Sequence, residues 1–253
     1  MSRNNQSNIA GFFIGGAATF AVGLICLLPA SLIDGLLKTN TGGIVRLADA
    51  HGTVWAGEGY VELQDNGTPA APPQHVTWRF SPNSVLDGHL QFTLTLNHSA
   101  QLASVLIGIS SISLRNATLQ LPAATLSLAI PKLAPLGLQG DLSIAIDDVR
   151  FAENQTAGNA RLKWMRAGST MTNISPLGNY QAELLTQGSM VSVALSTVEG
   201  PLQLDGKGSW AIRADPSFSG TARVPSSLQQ QLNPILRLIA TERVPGEFEI
   251  QIR

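Results

Sequence analysis

The sequence predicts a mainly β protein: an N-terminal transmembrane helix, then one large twisted antiparallel β-sheet domain with a short C-terminal amphipathic helix. Three observations lead there. An uncharged apolar run fills residues 9–30, a period of two recurs through most of the remaining chain, and a single late stretch has helical spacing.

The run IAGFFIGGAATFAVGLICLLPA (Ile9–Ala30) carries no charge. At a rise of 1.5 Å per residue, a helix of this length spans roughly 33 Å, enough to cross a hydrocarbon core about 30 Å thick. A cleaved signal peptide is the rival reading. Its apolar region is shorter, about 7–15 residues, and ends in paired small residues at the cleavage site. Here Leu28 and Ala30 place a small residue at one of those two positions only. The run therefore reads as an uncleaved anchor. Gly11 and Gly15 form a small-xxx-small pair, a face that lets a second membrane helix approach closely.

Charges beside the anchor nearly cancel: Arg3 and the terminal amine stand before it, and Lys38 and Arg46 with Asp34 and Asp49 after it. Orientation is therefore read from the body. Charged residues are 13% of the chain against about 25% in an average soluble protein, and the sole cysteine, Cys26, lies inside the apolar run. A thiol-free, weakly charged, strand-rich body suits an external compartment, which puts the N-terminus in the cytoplasm. The net charge of -1 is spread without a basic stripe, which argues against a nucleic-acid partner.

After the anchor, Ser31–Lys38 can continue as a short helix that Thr39–Gly43 breaks. Alternation then dominates in Gly88–Leu96, Ser111–Leu121, Thr125–Ile130, Asp141–Ile146 and Ser189–Ser196, the pattern of strands with one buried and one wet face. Breaks rich in Gly, Pro and Asn separate them at 65–73, 134–140 and 173–179. Leu228, Leu232, Ile235, Leu236 and Ile239 share one helical face, with Pro225 and Ser226 at its start and Pro234 expected to kink or split it. Glu247–Ile252 reads as a last strand. Trp78, Trp164 and Trp210 stand in similar strand contexts (HVTWRF, ARLKWMR, GKGSWAIR), a loose repeat of meander units.

Chemistry-bearing patterns are thin. His51, His75, His89 and His98 form no H-x-x-x-H pair, and the body has no cysteine, so no metal site is expected. Asp147 and Asp148 adjoin at an expected strand end, where alternation sends them to opposite faces. No G-x-S-x-G elbow or phosphate loop occurs, and GGIVRLADAHG lacks phosphate-cradling spacing. The chain is expected to be no enzyme, with no cofactor and no small-molecule substrate. Asn66, Asn97, Asn116, Asn154 and Asn173 match the glycosylation acceptor pattern, which a chain rich in Asn, Ser and Thr generates by accident.

The most distinctive segment is LADAHGTVWAGEGYVEL (Leu47–Leu63). Gly52 and Gly57 permit tight turns that aim Trp55 inward between two short strands. Gly52, Thr53, Trp55 and Gly57 resemble the G-T-hydrophobic-W-x-G signature that opens the periplasmic domain of the type II secretion system protein N family. VTWRFSPNSVLDGHLQFTL (Val76–Leu94, with Trp78) and Leu138–Gly168 (with Trp164) are similar to its following elements, in the same order. The insertion at Asp65–Pro73 and the segment SLIDGLLK depart from the family pattern. This resemblance implies residues 1–8 as a cytoplasmic tail, 9–30 as the transmembrane helix, 31–43 as a connector and 44–253 as a periplasmic β domain. It also implies an inner-membrane component, without an active site, that works by contacting other secretion-system proteins. A long twisted sheet after a membrane helix resembles, as the alternative, the AsmA-like envelope lipid-transfer proteins. Phe92, Leu94 and Leu96 with Leu126, Leu128 and Ile130 would then line a groove for lipid. A glycan-binding module would need exposed aromatic platforms, and the tryptophans stand in strands instead.

Overall fold

The computed structural model describes residues 19–97, 102–152, 155–212 and 214–252. Strands dominate. β1 (Val45–Gly52), β2 (Ala56–Asp65), β3 (Thr68–Pro69), β4 (Gln74–Ser81), β5 (Leu90–Leu96), β6 (Leu102–Ile107) and β7 (Ser111–Pro122) form the first half. β8 (Leu138–Ala152), β9 (Gln155–Ser169), β10 (Gly178–Gln187), β11 (Met190–Glu199), β12 (Gln203–Ala211), β13 (Phe218–Arg223), β14 (Ala240–Val244) and β15 (Glu247–Ile252) form the second. All belong to one 15-stranded sheet in the order β1-β2-β4-β5-β6-β7-β8-β9-β10-β11-β12-β13-β15-β14, with β3 a flap on β2. Every pairing is antiparallel, so almost every strand lies beside its neighbour in sequence.

The registers keep the apolar positions on one face. A single line crosses the second half of the sheet through Leu119, Ile144, Leu162, Ala182, Leu195, Gly206, Gly220 and Ile250, each opposite the next. That face is fully covered only towards its two sides. On one side α1 (Ser31–Asn40) lays Ile33 and Leu37 over Leu47, Val76 and Trp78. On the other, α3 (Gln229–Ile239) lays Leu232 and Leu236 over Ala222, Phe248 and Ile250, joined by Leu136, Leu177 and Leu202. Between these two lids the apolar positions Leu119, Leu121, Ile144, Ile146 and Leu162 are half-buried.

Several expectations change. Thr125–Ile130 is not a strand: a 3-10 turn (Ala123–Thr125) leads into the one-turn helix α2 (Leu126–Ala129). Pro122 ends the β7 ladder, the Thr125 hydroxyl donates to its carbonyl at 2.7 Å, and Pro131 and Pro135 withhold the N–H groups a ladder would need. Pro234 does not split α3, which runs unbroken through it.

Asp147 and Asp148 lie within β8 rather than at its end, and they share a face. Ile146 opposes Ala160 and Asp148 opposes Asn159, so Asp147 is an extra, bulged residue. The bulge keeps Ile146 and Val149 both on the apolar face, opposite Ala160 and Gly158, and sends both carboxylates to the polar one. There Asp147 pairs with Arg161 at 3.2 Å and Asp148 with Arg115 at 3.3 Å.

The acceptor-pattern asparagines also gain a physical reason. Asn66, Asn97 and Asn116 have φ of 49°, 49° and 55°, the left-handed backbone that Asn tolerates best after glycine.

Candidate anchor-docking site

The signature Gly52–Gly57 is the turn between β1 and β2, and it grips the end of the N-terminal apolar segment. Residues 19–26 are helical. Pro29 bars Leu28 from helical geometry, so the chain leaves the helix before it. It then runs beside the turn: Ala30 N–H donates to the Gly52 carbonyl at 3.1 Å, Pro29 bridges Thr53, and Val54 N–H donates to the Leu28 carbonyl at 2.9 Å. Pro29 sits where its missing N–H costs no ladder bond.

Two indoles clamp this junction. Trp55 Nε1 donates to the Ile25 carbonyl at 2.8 Å, a helix-end carbonyl whose other partner is only the long bond from Leu28 N–H at 3.4 Å. Its ring rests against Phe80, with centroids 5.1 Å apart, and Phe80 continues to Phe92 at 5.4 Å. Trp78 Nε1 donates to the Thr53 carbonyl at 3.0 Å from beneath the turn. Thr53 completes the turn itself: its hydroxyl accepts the N–H groups of Trp55 and Ala56, both at 3.2 Å.

The glycines are required by close approach. Gly52 has φ of +91°, and a Cβ there would lie 2.5 Å from the Ala56 carbonyl oxygen. A Cβ on Gly57 would come within 2.6 Å of Trp78 Cζ2. Trp78, opposite both Gly57 and Leu94, therefore lies flat on the sheet and is 7% exposed.

A second tie lies one helical turn further on. Arg46 Nε donates to Asp34 Oδ1 at 2.8 Å, Arg46 Nη2 to Oδ2 at 2.7 Å, and Leu47 N–H to Oδ1 at 2.9 Å, pinning α1 to β1. The Arg46 bonds first, and the Leu47 N–H second, hold the Asp34 carboxyl at about 2, below its ordinary 3.8. A depressed folded value means that the tie contributes fully above 3.8 and is lost as pH falls through about 2. Thermal melts across that window should show the native chain losing more stability than Asp34→Asn, which should start lower at neutral pH. Parallel curves for the two proteins would refute the tie's contribution. In the sequence Asp34 and Arg46 stand only as flanking charges, and nothing in their spacing signals the pair.

The other tryptophans stand on the same apolar face in different surroundings. Trp164 lies between Leu142 and Tyr180, half-buried, and donates to the Gln139 carbonyl at 2.9 Å. Trp210 opposes Val191, half-buried, with Gly208 leaving room beside its ring. Tyr180 is almost wholly enclosed. Burial pushes its hydroxyl's pKa up, and that hydroxyl donates to the Leu202 carbonyl at 2.8 Å, so it serves the fold. Gly11 and Gly15 lie outside the described residues. Among the described residues no helix is long and apolar enough to cross a membrane, and no group of three or more His, Cys, Asp or Glu is placed to hold a metal.

Residues 44–251 match the family described as type II secretion system (T2SS), protein N. The chain belongs to the type II secretion system protein N family. The match begins one residue before β1 and ends one residue short of the end of β15, so it takes in every strand and α3. A protein of Klebsiella pneumoniae named type II secretion system protein N is 25% identical over 210 residues, covering 81% of this chain and 79% of that one. No solved structure matches the chain. Family membership makes the chain a component of the type II secretion system, and the residues of the docking turn fall within the matched region.

Proposed function

We propose that the chain is a non-enzymatic component of the inner membrane, anchored by residues 9–30 with its N-terminus in the cytoplasm, whose sheet domain acts in the periplasm by contacting other secretion-system proteins. One observation carries this reading. The apolar N-terminal segment is hydrogen-bonded into the sheet through Ile25, Leu28 and Ala30, so anchor and sheet are built as one unit. Such a unit transmits position and orientation from a membrane helix to a broad docking surface. The polar face, with Lys163, Gln181 and Glu183 exposed or half-buried, offers that surface. Gly11 and Gly15 would seat a neighbouring membrane helix. Photo-crosslinkers at Lys163 and Gln181 of the full chain in its native membrane should trap secretion-system proteins; recovery of lipid adducts alone would overturn the reading.

A second reading is favoured by the half-buried apolar strip between the two lids. An AsmA-like protein would hold an acyl chain there. Native mass spectrometry of the detergent-purified chain separates the two, because a phospholipid bound in fixed stoichiometry supports the groove.

A further inference from the structure

We infer that the anchor-side end of the sheet rests on the bilayer surface, and that the hairpin tips of β4–β5 and β6–β7, with Phe151 near the end of β8 beside them, dip apolar side chains into it. The inference rests on the proposed membrane attachment.

Antiparallel order places alternate turns at the same end of the sheet. The β1–β2 turn, which holds residues 25–30, therefore shares its end with the β4–β5 and β6–β7 turns and with the last residues of β8. These tips carry side chains that a soluble surface does not ask for. Leu86 is 90% exposed in the 3-10 turn Pro82–Asp87, with Val85 beside it, and Ile109 is fully exposed at the β6–β7 tip. Behind them runs an apolar strip in register: Ile107 opposes Ile112, and Ile112 opposes Phe151, which is 52% exposed. At roughly 4.8 Å between strands, successive same-end turns stand about 10 Å apart, so the row continues from the anchor across some 30 Å.

The occupant follows from what begins that row. Phe20, Val22, Leu24 and Leu27 of the docked helical segment are all exposed, and the uncharged sequence continues upstream from it to Ile9. A segment that enters a bilayer brings the turns beside it to the same interface. There isolated Leu, Ile and Phe tips insert shallowly without further ordering. Asp87, next to Leu86, limits the depth to the headgroup level. The right-handed twist of a long sheet carries the later turns at Met190 and Ile212 progressively away, so the contact is confined to the β4–β5 and β6–β7 tips and the end of β8.

The test uses the full chain with Cys26→Ser in vesicles of phosphatidylethanolamine and phosphatidylglycerol. Single cysteines replace Leu86, Ile109 or Phe151, each bearing an environment-sensitive fluorophore, and lipids with a chain-attached nitroxide act as quencher. Phe20→Cys reports the anchor, and Asn66→Cys reports the opposite end of β2. The expected result is a blue shift and loss of most emission at 20, 86, 109 and 151, with Asn66→Cys unchanged. Quenching at position 20 with none at 86, 109 and 151 overturns the inference and leaves the attachment standing. No quenching at position 20 overturns both. Quenching at Asn66→Cys equal to that at the tips overturns the end-on arrangement in favour of a sheet lying flat.

Discussion

Trp78→Ala is expected to cost about 3–5 kcal/mol of stability, the usual range for deleting a large aromatic from a packed interior. The ring is 7% exposed, covers Gly57 and packs with Leu47 and Val76, so nothing nearby can collapse into the space. The change also leaves the Thr53 carbonyl without the indole donor at 3.0 Å. The loss should spread to the junction with residues 25–30, because Thr53 is the residue that bridges Pro29. Thermal unfolding of the detergent-solubilised chain gives the global figure, and the rate of trypsin cleavage at Lys38 and Arg46 gives the local one. Both should worsen. Trp210→Ala, at a half-buried ring on the same face, is the comparison, and its cost should be clearly smaller. Equal losses from the two variants would mean that Trp78 has no special part in the junction.

Gly57→Ala is expected to cost about 3 kcal/mol, at the upper end of the range for overpacking. The added methyl would meet the His51 carbonyl oxygen across the hairpin and lie 2.6 Å from Trp78 Cζ2. The first neighbour is backbone and cannot move without unpairing β1 from β2; the second can yield only by tilting the indole off Thr53. Combining Gly57→Ala with Trp78→Ala separates the two clashes. The double variant should be less destabilised than the sum of the singles, since the ring is one of the two obstacles. Strict additivity would assign the whole effect to the backbone contact. Gly35→Ala, in open space on α1, should show no such loss.

The sheet was legible because its signal is periodic and repeated. Ser111–Leu121 and Ser189–Ser196 alternate over enough residues for one face to be apolar only in a strand, and they are β7 and β11. Thr125–Ile130 alternates over six residues only, a length at which a turn of helix between prolines presents the same pattern. The bulge at Asp147 was hidden for a related reason. Strict alternation was carried across a position where the strand gains a residue, and single sequences do not mark where that happens. At the docking turn, the glycine and tryptophan types pointed to a constrained hairpin. The partner of that hairpin did not show, because Trp55 bonds a backbone carbonyl at Ile25, thirty residues upstream, and a carbonyl leaves no trace in residue identity. The pairing of Asp34 with Arg46 is hidden for a different reason: both side chains are plain in the sequence, but only α1 lying along β1 brings them together.

The strand order has a consequence for how such a chain reaches its final form. Each strand from β5 to β13 pairs with the one before it, so a chain delivered N-terminus first can add strands as they emerge, closing a local loop each time. The last step breaks this sequence. β15 must enter between β13 and β14, carrying Phe248 and Ile250 into the interior beneath α3. Until residues 247–252 have arrived, β13 is an open edge and the α3 lid lacks Phe248 and Ile250 beneath it, with Ala222, Leu136, Leu177 and Leu202 left as its partners. Entry of β15 thus acts as a latch: a product lacking this strand would carry a nearly whole sheet with one unfinished side, a form that quality-control proteases can recognise.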